Sequence, residues 1–86
     1  MQLSVEISLY PLKDNYLEVI QWFIERLKAY PQIQRHTNGM STQLGGDYDQ
    51  VMALLAKEMK AAHEQWGKEV FVCKFITGGV NLDHSE

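Results

Sequence analysis

Long apolar runs, paired cysteines and an excess of basic charge are all missing from these 86 residues. The single cysteine, Cys73, allows no internal disulfide, and its place inside an apolar run reads as a small buried hydrophobe in a reducing compartment. Met1 to Tyr10 alternate polar with apolar instead of joining a basic flank to a continuous apolar stretch, so they fit neither a signal peptide nor a membrane span, and a cytoplasmic address is expected. The formal charge is -3, with acids and bases interspersed. That balance lacks the footprint of a phosphate-backbone binder, so nucleic acid is not an expected partner. Repeats and low-complexity stretches are absent too. What is present, 45% apolar and 22% charged residues, is the composition of an ordinary globular chain. At this length there is one core, a fold that buries only about 60 to 65% of its unfolded surface, and a premium on self-association.

Leu3, Val5, Ile7 and Leu9 alternate with Ser4, Glu6, Ser8 and Tyr10, the period of a strand with one face on a core and an unusually polar opposite face. Pro11 ends it. Asp14 is a candidate cap for a helix over Asp14 to Ala29, in which Leu17, Ile20, Ile24 and Leu27 recur at helical spacing. Ile33 to Thr37 and Met40 to Leu44 read as strands joined by a two-residue turn at Asn38-Gly39, a pair that readily takes positive φ. Gly45-Gly46 then breaks the strand and Asp47 caps a second helix, whose inner face is Val51, Met52, Leu55, Met59, Ala62 and Trp66 and which ends near Gly67. Val70 to Ile76 is apolar on both parities, the mark of a strand covered on both faces.

This order, βαββαβ, predicts an α+β, ferredoxin-like domain over residues 1–77, with two helices on one face of a four-stranded antiparallel sheet. Residues 78–86 read as a polar C-terminal tail, ordered only where a neighbouring subunit holds it. A sheet covered on one side, with a last strand apolar on both parities, predicts a homo-oligomer.

Catalytic signals are weak. His36, His63 and His84 fall in three different settings without metal-ligand spacing, and Cys73 has no cationic neighbour in sequence to depress its pKa. No catalytic residue, metal or cofactor is therefore expected. Gly45-Gly46 before a helix suggests phosphate binding, but Asp47 and Asp49 oppose an anion there and capping is the better role. Met52, Met59 and Trp66 sit at core spacing, while Trp22 and Tyr16 either finish the core or mark a subunit contact.

The polar parity of the first strand carries more information. Glu6, Ser8 and Tyr10 should project from the open sheet face, with Ser41 and Gln43 beside them. A carboxylate, hydroxyls, an amide and an aromatic ring suit a small nitrogen heterocycle, whose edge the polar groups read and on whose plane Tyr10 stacks. The alternatives are a structural or regulatory oligomer in which this face packs on a symmetry mate, and an RNA-recognition sheet. The latter needs exposed aromatics on central strands, whereas Phe71 and Phe75 lie on the last one.

The segments Val5-Glu6-Ile7-Ser8-Leu9-Tyr10-Pro11-Leu12 and Thr37-Asn38-Gly39-Met40-Ser41-Thr42-Gln43-Leu44-Gly45-Gly46-Asp47 resemble the two signatures of the YkoF-like thiamine-binding family. With the intervening helix, the second helix and the last strand, the similarity extends over all but the tail. It implies a ferredoxin-like fold, association through sheets, and binding of thiamine or its hydroxymethylpyrimidine portion without conversion, as a carrier or salvage component. The family includes tandem two-domain members, so this single domain would supply the second half as a homodimer or homotetramer. By motif position the resemblance implicates Ser8 and Tyr10 from the first signature and Thr37, Asn38, Met40, Ser41 and Thr42 from the second. Within it, hydroxyls and Asn38 would meet the aminopyrimidine edge, Met40 and Tyr10 the ring faces, and Glu6 the thiazolium cation.

Overall fold

In the computed structural model, which describes residues 1–83, the chain runs β1 (Gln2–Pro11), α1 (Tyr16–Leu27), β2 (Gln34–Thr37), β3 (Thr42–Asp47), α2 (Tyr48–Trp66) and β4 (Glu69–Thr77). The strands form one antiparallel sheet in the order β2-β3-β1-β4. This is the expected ferredoxin-like α+β architecture. Leu3, Val5 and Ile7 of β1 are buried beneath the helices with Leu44 of β3, as strict alternation requires. Among the described residues, no helix is long and apolar enough to cross a membrane. His84 lies outside the described residues, with the end of the tail.

Several local expectations are corrected. α1 starts at Tyr16, and its cap position is Asn15, which makes no side-chain capping bond, so Asp14 is not the cap. Its buried stripe is Val19, Phe23 and Leu27, while Leu17 is 60% exposed. The apolar arc of α1 is wider than one core stripe, and the sheet selects the part centred on Phe23, which stacks on Phe71 of β4 at 5.5 Å between ring centroids. On α2 the buried positions are Val51, Leu54, Leu55, Glu58 and Ala62. Met52 is exposed, Met59 is half-buried against the core, and Trp66 is half-buried. The buried Glu58 carboxylate is satisfied by Arg26 Nε at 2.6 Å and by the Tyr30 hydroxyl, a polar seam between the helices that apolar periodicity does not reveal. Burial, reinforced by the hydrogen bond to Glu58, pushes the Tyr30 hydroxyl up to about 12.

The hairpin between β2 and β3 is not a two-residue turn. Thr37 pairs with Thr42, so residues 38–41 form the connection, and neither Asn38 nor Gly39 takes positive φ. Instead the Asn38 side chain accepts hydrogen bonds through Oδ1 from the amides of Met40 (2.9 Å) and Ser41 (3.2 Å), an Asx turn that holds the loop without left-handed backbone. Nor do the next glycines break the strand. Gly45 and Gly46 lie within β3, where a Cβ on Gly46 would stand 2.8 Å from Ile33 Cδ1 and one on Gly45 3.2 Å from Leu82 Cδ1. They are there for close approach. Asp47 does cap α2, accepting from the Gln50 amide at 3.2 Å.

The tail, expected to need a neighbouring subunit, is held by the chain itself as far as it is described. Gly78 and Gly79 take positive φ and reverse the chain, the Gly78 amide donates to Gln2 O (2.8 Å), and the Val80 amide donates to Ser4 Oγ (3.0 Å). Ser4, on the face away from the helices, is thereby only 4% exposed. β4 is covered once in this single chain: Phe71 and Cys73 are half-buried on the helix side, while Val70, Val72 and Ile76 are exposed on the other.

Candidate functional site

β1 pairs with β4 along its length to Pro11, but with β3 only as far as Ile7, opposite Thr42. Beyond Ile7 the β3-facing edge of β1 therefore has no strand partner, because β3 has given way to the Asn38–Ser41 loop. α1 crosses above this gap. A cavity of about 390 Å³ results, with Ile7, Leu9, Ile20, Phe23 and Ile24 as apolar walls and Ser8, Tyr10, Tyr16, Thr37, Asn38, Met40, Ser41 and Thr42 supplying hydroxyls, an amide, a thioether and two phenols. A mostly apolar hollow of this size with a few convergent polar groups is the usual form of a small-molecule site.

Of the expected site residues, Ser8, Tyr10, Thr37, Asn38, Met40, Ser41 and Thr42 line this cavity, and Glu6 does not. The open-face patch expected from strand parity is thus relocated. Glu6, Ser41 and Gln43 do meet on the open face, where Ser41 Oγ donates to Glu6 Oε2 at 3.0 Å and Gln43 Nε2 donates to Ser41 Oγ at 3.1 Å. The hollow, however, lies at the end of the sheet and reaches to the helix side, where Thr37 and Thr42 face each other with their hydroxyl oxygens 3.1 Å apart. Glu6 also sits 3.6 Å from Lys74 Nζ on β4, a solvent-exposed pair that contributes little stability.

The α1 contribution was missed by sequence reading. Tyr16, Ile20 and Ile24 form a second apolar stripe beside the core stripe of Val19, Phe23 and Leu27, and that second stripe walls the cavity. The breadth of the apolar arc was the available signal. Met40, at the loop tip, is 90% exposed, an unusual position for a large apolar side chain.

No charged side chain among the described residues lines the cavity. Asp47 cannot disfavour an anion there, because it lies opposite Gln2 at the far end of β1. Cys73 lies outside the cavity and burial pushes its thiol up, away from a reactive thiolate. Among the described residues no three of His, Cys, Asp and Glu stand together closely enough to hold a metal ion. The depression between the helices, about 570 Å³ and lined by Trp22, Arg26, Tyr30 and Glu58, is the outside of the polar seam already described. Trp22 closes that seam, packing edge-on against Trp66 at 6.2 Å with the Arg26 guanidinium 5.2 Å from its ring centroid. Phe71 and Phe75 lie on the helix side of the sheet, in register with Leu9 and Val5, so they form no stacking platform on the open face.

A profile of the YKOF-related family matches residues 2–78 of the chain. Among solved structures, the chain is similar to a "putative thiamine biosynthesis/salvage protein" from Thermotoga maritima, at 16% identity and a TM-score of 0.84, over 96% of this chain and 92% of that one. A protein from Streptococcus pneumoniae matches at 21% identity and a TM-score of 0.84, over 93% and 90%. A domain of unknown function from Bacillus cereus matches at 18% identity and a TM-score of 0.78, over 96% and 85%. At these identities the structural matches establish the fold. No curated protein matches the chain.

Proposed function

The chain belongs to the YKOF-related family, and from that membership and the cavity at the end of β1 we propose that it binds thiamine or the hydroxymethylpyrimidine portion of thiamine without transforming it. The observation that carries this reading is the make-up of the cavity: uncharged among the described residues, apolar on the α1 side, and hydroxyl- and amide-bearing on the loop side. Such a hollow suits a flat, polar-edged heterocycle, with Tyr10 or Met40 against a ring face and the hydroxyls at its edge. The name carried by the Thermotoga maritima relative points to the same chemistry. Among the described residues the cavity offers no histidine, carboxylate or thiol to move a proton or attack a carbon, which supports a carrier or salvage role in place of catalysis. With no lysine or arginine lining it among the described residues, it favours thiamine and its pyrimidine over the diphosphate.

The working form in this reading is a cytoplasmic homodimer or homotetramer, because Val70, Val72 and Ile76 leave an apolar stripe uncovered on the open face of β4. The same stripe favours a second reading, a structural or regulatory oligomer that takes no small ligand. Calorimetric titration with thiamine, hydroxymethylpyrimidine and thiamine diphosphate separates them. Binding of the first two with little heat from the third is expected, and a ligand at a hundred times its Kd should add about 2.7 kcal/mol of stability. Absence of heat and of thermal shift with all three overturns ligand binding, and light scattering that finds a monomer at micromolar concentration overturns the oligomer.

A further inference from the structure

Ser41 is both a wall of the cavity and a member of the open-face network, and its hydroxyl has only one proton and two lone pairs to distribute. Glu6 Oε2 lies 3.0 Å from Ser41 Oγ. An ionised carboxylate only accepts, so the serine proton points to Glu6. Gln43 Nε2 lies 3.1 Å away, and with the proton already committed, the Gln43 amide must donate into one of the two lone pairs. What Ser41 has left for the cavity is a single lone pair. The network is held by the sheet itself: Gln43, Glu6 and Lys74 are register partners across β3, β1 and β4, and Lys74 Nζ lies 3.6 Å from the other Glu6 oxygen.

On the same loop Asn38 is committed in the opposite sense. Its Oδ1 accepts from the amides of Met40 and Ser41, so its NH2 group, a donor, is what remains for a ligand in the cavity it lines.

We propose that Glu6 is a positioning residue which, with Gln43, fixes Ser41 as a hydrogen-bond acceptor, so that the cavity selects heterocycles presenting an amino N–H beside a ring-nitrogen acceptor. This rests on the binding of thiamine or its pyrimidine argued above. A 4-aminopyrimidine edge presents its amino donor to Ser41 and its ring nitrogen to Asn38. The 4-oxo counterpart presents the reverse, a carbonyl against the Ser41 lone pair and a ring N–H against the Asn38 NH2. Glu6 thus acts through Ser41 and does not itself touch the ligand.

The test compares thiamine with oxythiamine, its 4-oxo counterpart, by calorimetric titration of the full chain. The wild type is expected to prefer thiamine roughly tenfold or more, the effect of a hydrogen bond made in one case and opposed in the other. In Glu6→Gln the new amide can donate to Ser41 Oγ and free the serine proton, so the preference should fall several-fold, to the part that the Asn38 NH2 supplies, while thermal melting shows the variant folded. Ser41→Ala, with no hydroxyl to polarise, should weaken the preference in the same way, which keeps a second route open if Glu6→Gln does not fold. Equal affinity of the wild type for both compounds overturns the polarity assignment and leaves ligand binding standing. A preference that persists unchanged in either folded variant overturns the role given to Glu6 and Ser41. Failure of the wild type to bind either compound overturns the binding reading and this inference together.

Discussion

At the Gln2–Val5 end of β1 both faces of the strand are covered, by the helices on one side and by residues 78–83 on the other, whereas at the Ser8–Pro11 end the strand flares away from β3 and borders a cavity. The same apolar and polar alternation runs through both ends. The difference arises outside β1. At the closed end Gly45 and Gly46 let Leu82 and Ile33 approach the sheet from opposite sides, and Ser4 exchanges solvent for the Val80 amide. At the open end Asn38 captures the amides of its own loop and β3 begins only at Thr42. A strand can therefore be structural over half its length and a binding wall over the other half, according to where its neighbours stop.

The strongest way to break this comparison is to open the closed end. Leu3 is 1% exposed at the centre of that packing, so Leu3→Ala should remove about 2–5 kcal/mol of stability in urea unfolding, a large part of the roughly 5–15 kcal/mol that holds a domain together. A loss below about 1 kcal/mol would contradict the description of that end as packed.

High pH provides a control away from both ends. Burial first, and then the hydrogen bond to Glu58, raise the Tyr30 hydroxyl from 10.0 to about 12, so the folded chain holds this proton more tightly than the unfolded chain does. The stability it contributes is fully present below pH 10 and is lost as pH rises through about 12. The urea midpoint should fall between pH 10 and 12, and Tyr30→Phe should flatten that part of the profile. An equal fall in the variant would assign the loss to other groups.

Much of this layout was legible in the sequence because it depends on periodicity. The alternation of β1 placed Leu3, Val5 and Ile7 on the core face, and the spacing along α2, with Asp47 before it, located that helix. The misread features depend on contacts between distant or competing groups. Asn38-Gly39 carries the composition of a tight turn, but the Asn38 side chain replaces the left-handed backbone. Gly45-Gly46 looks like a strand terminator until Ile33 and Leu82 are seen against it. The fold of residues 78–83 onto β1 rests on Ser4 and Val80, 76 positions apart in the chain, and no local pattern announces it. The cavity shares this difficulty: its residues were named from short motifs, but its position follows from where β3 ends and from a second apolar stripe on α1.

A smaller effect is expected where the tail turns back. Gly79 has φ +76, and an added Cβ would lie 3.2 Å from Gln2 Cβ. Gly79→Ala should cost about 1–2 kcal/mol, lowering Tm by several degrees for a domain of this size, about 4–8 °C per kcal/mol. Amide exchange at Val80 should accelerate as its bond to Ser4 Oγ loosens. Unchanged exchange would mean that this segment is held by something other than the glycine turn.

The smallest stability effect belongs to the open end, and it is the one that sharpens the comparison most. Tyr10 is 55% exposed beside the cavity and makes no side-chain hydrogen bond among the described residues, so Tyr10→Ala should change unfolding free energy by no more than about 0.5 kcal/mol. If the ring stacks on the heterocycle, its removal forfeits a contact of about 1 kcal/mol, read as a several-fold weaker Kd for thiamine by titration at unchanged Tm. Leu3→Ala and Tyr10→Ala then lie seven residues apart on one strand with opposite signatures, one in stability and one in affinity. A Tyr10→Ala variant that loses stability but keeps its affinity would reverse the assignment, making the flared end part of the scaffold and placing recognition with the loop alone.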